Sequence, residues 1–353
     1  MQPRRAGRLT AQIGIACLSA GLALTLSASP AQAAALTNHK ITGIENAISC
    51  LTPSLCVAVG YANNGEEGEV VTLVNGKQSR SASIGLGGLH SVSCPSRAGC
   101  WAVGPGVSDA GLVVTEIGST GKVTKSVLEK ASGANLLSEI SCASLTSCEL
   151  VGTDVLVNPS TPEIASWNGK KLSLHHVAGV SGATTNTLND ISCWHASCEA
   201  VGTYSYGAAQ FAGFVLTVTN GKPGKIHTIS DDTLRGVSCV SASKCYAAGD
   251  SVVAEGLLLT VTNGVPGSVH SETANMYGIE CAGATCRASG EQSGSGGYDG
   301  VVVTLKNGSP TGAPVVDTAV DGFSAADSIA ERGAGFAAVG GPRSGLGSEV
   351  AVG

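Results

Sequence analysis

Twelve of the 13 cysteines fall into six close pairs: Cys50/Cys56, Cys94/Cys100, Cys142/Cys148, Cys193/Cys198, Cys239/Cys245 and Cys281/Cys286. Thiols at such spacing can bind a metal as thiolates or oxidise to disulfides. Structural zinc sites favour C-x₂₋₄-C knuckles gathered in fours. Here a single C-x₅-C or C-x₄-C pair recurs at long intervals. The seven histidines are scattered, apart from the neighbours His175 and His176, which point opposite ways on a strand. An even number of paired cysteines in an exported chain reads as six disulfides, with no metal and no cofactor.

Other chemistry finds little support. A serine hydrolase of the nucleophile-elbow kind needs G-x-S-x-G, which is absent. Calcium would favour a D-x-[DN]-x-[DN]-G loop, also absent. A glycosidase needs two facing carboxylates, for which Glu66, Glu67, Asp109, Asp154, Asp250, Glu291 and Asp299 are the candidates. Four tyrosines in variable segments, Tyr61, Tyr204, Tyr206 and Tyr298, have rings that can stack on sugars or anchor a peptide. They are the candidate binding residues; the plainer role is to cover the ends of the sheets.

The amino terminus has the layout of an export signal. Arg4, Arg5 and Arg8 precede the apolar run Ile13–Leu26, and Ala31-Gln32-Ala33 forms an A-x-A cleavage site. Residues 1–33 are therefore expected to be a signal peptide, with residues 34–353 the secreted domain. Cys17 raises the alternative of a lipid anchor, but Gly14-Ile15-Ala16 matches such a site poorly. Removal of the segment leaves 17 basic and 26 acidic residues, a balance of −9. With no basic stripe, a nucleic-acid partner is not expected, and no later stretch is apolar for long enough to span a bilayer.

The cysteine pairs sit inside a recurring phrase. Its copies are Ile48–Gly60 (ISCLTPSLCVAVG), Val92–Gly104, Ile140–Gly152, Ile191–Gly202, Val237–Gly249 and Ile279–Gly290. A seventh, Ser328–Gly340, is expected to place Ala330 and Phe336 where the cysteines stand. Between copies come apolar, β-branched runs ending in Asn-Gly, such as Val70–Gly76, Val215–Gly221, Leu258–Gly264 and Val302–Gly308. Asn-Gly after such a run is the signature of a two-residue hairpin turn, and apolarity on both faces suggests a sheet covered by neighbours on either side.

Each unit thus reads as four antiparallel strands: into the phrase, out of it, on to Asn-Gly, and back. Four strands in roughly 40–50 residues is the measure of a propeller blade. The fold expected is all-β: a seven-bladed β-propeller of four-stranded antiparallel blades, with one disulfide in each of six blades. The last unit stops at Ser348–Val352, one strand short, and an unpaired strand near Thr37–Ile44 precedes the first phrase. The amino-terminal strand is therefore expected to close the ring and remove its open edges. A staple around a loop of this size contributes about 2.4 kcal/mol by loop entropy. That contribution suits a chain with only 4% aromatic residues.

The frame I-S-C…C-x-A-V-G…T-x-N-G resembles the cysteine-bearing repeat of secreted actinobacterial propeller proteins. It is more distantly similar to BNR propellers of the sialidase and photosystem-assembly-factor kind, whose blades carry G-W-x-V-G and T-x-D-G-G. No complete S-x-D-x-G-x-x-W box is present, so the resemblance implies the architecture and does not carry sialidase activity over to this chain.

Strand order places stapled loops and Asn-Gly turns on one face, and variable segments, including Tyr61–Glu69, Thr153–Pro162, Tyr204–Ala212 and Glu291–Asp299, on the other. Ser49, Ser93, Ser141, Ser192 and Ser238, with Glu280 in the sixth unit, face opposite to the cysteines. They would form a polar channel lining or serve as small packing residues. The functional expectation is a non-catalytic binder or scaffold that takes an extracellular glycan, cell-wall component or protein on its variable face. The alternatives are a glycoside hydrolase or lyase with acids at the channel mouth, and a purely structural envelope protein.

Overall fold

Seven antiparallel sheets are arranged as blades around a central channel, each packed face to face on the next. The computed structural model describes residues 36–353 except 63–65, 108–110, 131–136, 156, 208–209, 252–255, 296, 324–328, 333–334 and 343–347. The expected export segment, with Cys17 and the A-x-A site, lies outside the described residues. No described helix is long and apolar enough to cross a membrane.

Blade 1 shows the unit: Ile44–Thr52, Leu55–Tyr61, Gly68–Val74 and Lys77–Ser83, each strand paired with the next. Its third strand is buried from Gly68 to Leu73, whereas the outer fourth strand is largely exposed. This contrast is the physical origin of the continuous apolar runs before Asn-Gly. At that turn Asn75 and Gly76 have φ of 51° and 81°, the doubly positive pair that a type I′ hairpin requires.

Two blades depart from four unbroken strands. In blade 6 the outer strand splits into Ser309–Pro310 and Val315–Asp317, where Pro310 and Pro314 remove ladder donors. In blade 7 the inner strand splits into Val320–Phe323 and Ile329–Arg332. The ring closes as expected: Thr37–Ile41 pairs antiparallel with Ser348–Val352 and supplies the outer strand of blade 7. The strand ends at Ile41 rather than Ile44, because Gly43 turns at φ 80° and Ile44 already starts blade 1.

The seventh copy also corrects an expectation. Ala330 pairs with Ala337 as Ser49 pairs with Val57, and Glu331 pairs with Phe336 as Cys50 pairs with Cys56. Glu331, not Ala330, therefore holds the place of the first cysteine. The shorter C-x₄-C spacing of blades 4 and 6 is the correct template for this copy.

Candidate functional site

Six disulfides staple blades 1–6, one in each: Cys50–Cys56, Cys94–Cys100, Cys142–Cys148, Cys193–Cys198, Cys239–Cys245 and Cys281–Cys286. The second member of every pair is buried: Cys56, Cys100, Cys148, Cys198, Cys245 and Cys286 all belong to the core between blades. These bonds are structural, and none of the twelve sulfurs is left as a free thiol for chemistry. Their Cα–Cα distances are 3.9–4.1 Å. That closeness belongs to non-hydrogen-bonded pairs of an antiparallel ladder, so the amide of each first cysteine points away from its own sheet. The preceding blade's serine meets it. Ser49, Ser93, Ser141, Ser192 and Ser238 accept hydrogen bonds from the amides of Cys94, Cys142, Cys193, Cys239 and Cys281 at 2.9–3.2 Å. The serines both line the axial cavity, about 320 Å³, and tie blade to blade.

Stapled loops and Asn-Gly turns share a face, as expected. The turn amides of Asn75, Asn220, Asn263 and Asn307 donate to stapled-loop carbonyls at 2.8–3.0 Å. This face is less uniform than the repeat suggests. Trp194, in the stapled loop of blade 4, is 43% exposed at the cavity rim with its ring edge-on to His195. The other two tryptophans wedge between blades 2 and 3, with Trp101 and Trp167 edge to face at 5.4 Å.

On the opposite face the four candidate tyrosines part company. Tyr61 shares a hydrogen bond of 2.8 Å with His90 Nε2, and its ring lies against Gly88 where any side chain would collide. Burial pushes the phenol of Tyr61 up and the imidazole of His90 down. Tyr298 lies in blade 6, 49% exposed. Only Tyr204 and Tyr206 come together, edge to face at 5.4 Å, with Phe214 beneath Tyr204 at 6.4 Å. They border a recess of about 240 Å³ completed by Gln210, Phe211, Ala212, Ser230 and Asp231. Tyr206 and Phe211 are 51% and 43% exposed, whereas Tyr204 is buried. Where the repeat predicts loop, the strands Ser197–Ser205 and Phe211–Thr219 instead pair out to Ser205 and Phe211. The same lengthening carries Tyr298 on a strand of blade 6. The small and polar residues of both segments hide this continued strand pairing from the sequence.

The candidate acids are largely committed. Asp250 pairs with Arg235, whose guanidinium lies 5.4 Å from the centre of the Tyr277 ring; Tyr277 in turn donates its hydroxyl to Glu291. Burial first, then Glu291, raises the Tyr277 phenol. Glu67 accepts from Ser83. Asp299 is 8% exposed, and Asp109 lies outside the described residues. A serine, a histidine and a carboxylate do meet in blade 3, but in the wrong order. Ser166 donates to Glu149 at 2.8 Å and stands 3.4 Å from His175. The acid accepts the serine's hydroxyl directly and does not orient the imidazole, so the trio lacks triad wiring.

One ring escaped sequence reasoning. The inner strands carry bulges at Asn46, Ser138, Asn189, Arg235 and Tyr277, and His90 holds the same place in blade 2. Bulges re-aim side chains. Asn46 and Asn189 reach the carbonyls of Leu89 and Leu234 in the following blades. The signal was present as the residue two before each of the six cysteine-bearing copies of the phrase, always polar or aromatic.

The fold and these surfaces define a disulfide-stapled, seven-bladed β-propeller clasped by its amino-terminal strand. No family model matches the chain, and no curated protein does. Among solved structures it is similar to U3-55K (TM-score 0.59, 9% identity, covering 89% of this chain and 98% of that one). It is also similar to the Pan2 WD40 domain of Neurospora crassa (TM-score 0.53, 10% identity, covering 90% and 94%). At these identities the likeness is one of fold.

Proposed function

We propose that this is a secreted, non-catalytic binding propeller that recognises an extracellular glycan, cell-wall component or protein on its variable face. The blade 4 recess carries the reading. Tyr206 and Phe211 present exposed aromatic surface beside Gln210, Ser230 and Asp231. Ring faces bordered by hydrogen-bonding groups suit sugars and peptides alike. Six disulfides are consistent with an oxidising, extracellular setting, and residues 1–33 would direct the chain there. The propeller likeness, including a WD40 domain, fits a binding or scaffold role.

The test is an array of glycans, peptidoglycan fragments and peptides probed with the secreted protein and with the Tyr206→Ala/Phe211→Ala variant. A ligand lost by at least tenfold in the variant supports the reading. Absence of any ligand, or a ligand indifferent to both substitutions, removes it.

A further inference from the structure

In each blade the glycine that ends the phrase sits between a residue of the inner strand and one of the third strand. Blade 4 puts Leu188 and Phe214 opposite Gly202, blade 5 puts Leu234 and Leu257 opposite Gly249, and blade 6 puts Met276 and Val301 opposite Gly290. Blade 3 pairs Leu137 with Glu163, and Glu163 has His176 at 3.2 Å. In blade 1 both places are acidic: Glu45 and Glu69 flank Gly60.

Glu45 and Glu69 are 1% and 5% exposed as whole residues, and both Glu45 carboxyl oxygens are buried without a hydrogen-bond partner. Glu69 accepts only the Thr42 hydroxyl, at 2.9 Å, among the hydrogen bonds seen. Neither glutamate forms an ion pair among the described residues. Glu69 Oε2, the Tyr61 carbonyl oxygen and Glu45 Oε1 all lie within 2.9 Å of the point where a Cβ on Gly43 would stand. A carboxylate buried beside a second carboxylate resists ionisation unless a counter-charge is supplied. Burial, and second Glu69, accordingly push the Glu45 carboxyl well above its ordinary value.

We propose that Glu45 and Glu69, with the Tyr61 carbonyl and the Thr42 hydroxyl, bind a calcium ion at the seam where the ring closes. The donors are all hard oxygens, with no imidazole or thiolate, and two carboxylates match a divalent charge. Calcium tolerates mixed carboxylate and carbonyl ligands in irregular geometry, whereas magnesium demands a near-ideal octahedron. The position gives the ion a role. The Glu45 amide donates to Ser348 Oγ of blade 7 at 2.8 Å, and Thr42 follows the clasp strand directly. A bound ion would brace the clasp against blade 1.

The experiment uses the full secreted chain stripped with chelator at neutral pH. Thermal unfolding is followed with millimolar calcium chloride and with sodium chloride at matched ionic strength, and calcium stoichiometry is read by titration calorimetry. Wild type should show a saturable rise in Tm and one calcium per chain. Glu45→Leu, which installs the residue of blades 2–5, should melt higher than calcium-free wild type and ignore calcium. Glu69→Gln should weaken binding at least tenfold, and it decides the matter if the leucine variant does not fold. No calcium response in wild type, or an undiminished response in the variants, overturns the proposal. A Tm that rises only with acidification, and no longer does so in Glu45→Leu, also overturns it and assigns a shared proton to the pair.

Discussion

At the scale of the residue, the molecule carries buried acids in places where a propeller normally packs hydrocarbon. Glu199 follows the second cysteine of blade 4, 4% exposed, with one carboxyl oxygen lacking a partner. Burial raises it from 4.5 to about 7, offset in part by a hydrogen bond from Thr217. The folded value lies above the unfolded one, so the protonated acid favours the fold. That contribution is complete below pH 4.5 and is lost as pH rises through 7. Glu199→Gln keeps the shape without the charge. It should leave stability unchanged near pH 4.5 and raise it by about 3 kcal/mol above pH 7, a difference readable by chemical denaturation across that window. Equal effects at both ends would show that the substitution acts through packing alone. Such acids were poorly legible in the sequence. Glu45 stands where blades 2–5 have leucine, a clue that appears only when the copies are aligned upstream of the cysteines, where the bulge disturbs the count. The seventh copy misleads for a similar reason. With two allowed cysteine spacings in the chain, a copy without cysteines fits either, and pairing selects Glu331 with Phe336.

At the scale of the element, the Asn-Gly hairpin was the most legible feature, because a type I′ turn accepts so few residue types. Its glycine has a second duty that no single-repeat reading reveals. Gly264 has φ of 74°, and a Cβ there would strike Thr217 Oγ1 of the preceding blade; Gly221 stands in the same relation to Ser166. Gly312, at φ 75°, has nothing within 4 Å of its Cβ position. The pair separates conformational cost from close approach. Gly312→Ala should cost about 1 kcal/mol for its positive φ alone, and Gly264→Ala about 2–3 kcal/mol, since Thr217 must also shift. Equal losses in urea titrations would mean that the blades do not press on these turns. The serine ties belong to the same scale. Ser192→Ala leaves the Cys239 amide without its 2.9 Å acceptor and should cost about 1–2 kcal/mol, measurable in the same titrations.

At the scale of the whole molecule, closure rests on five residues. Thr37–Ile41 covers Ser348–Val352, and Asn38 adds a hydrogen bond of 3.0 Å to Asp317 of blade 6. The missing fourth strand of the last repeat and the spare strand at the front made this legible, because an uncovered edge is a liability that a ring is built to remove. The surface was less legible: length and charge of a segment do not reveal whether strand pairing continues through it, so Tyr204 proved to be buried strand and Tyr206 exposed rim. The clasp also makes a sharp prediction. A chain that begins at Thr42 and is expressed under oxidising conditions keeps all six disulfides and every strand of blades 1–6 but bares the edge of blade 7. Hydrogen exchange should then lose protection in Ser348–Val352 and Gly335–Pro342 first, while blades 2–5 stay protected, because a stapled blade opens independently of its distant neighbours. Light scattering should show self-association through the open edge, and a peptide of residues 37–41 supplied in trans should suppress both effects. Unchanged protection in blade 7 would mean that its core of Val339, Val350 and Ala351 holds without the clasp.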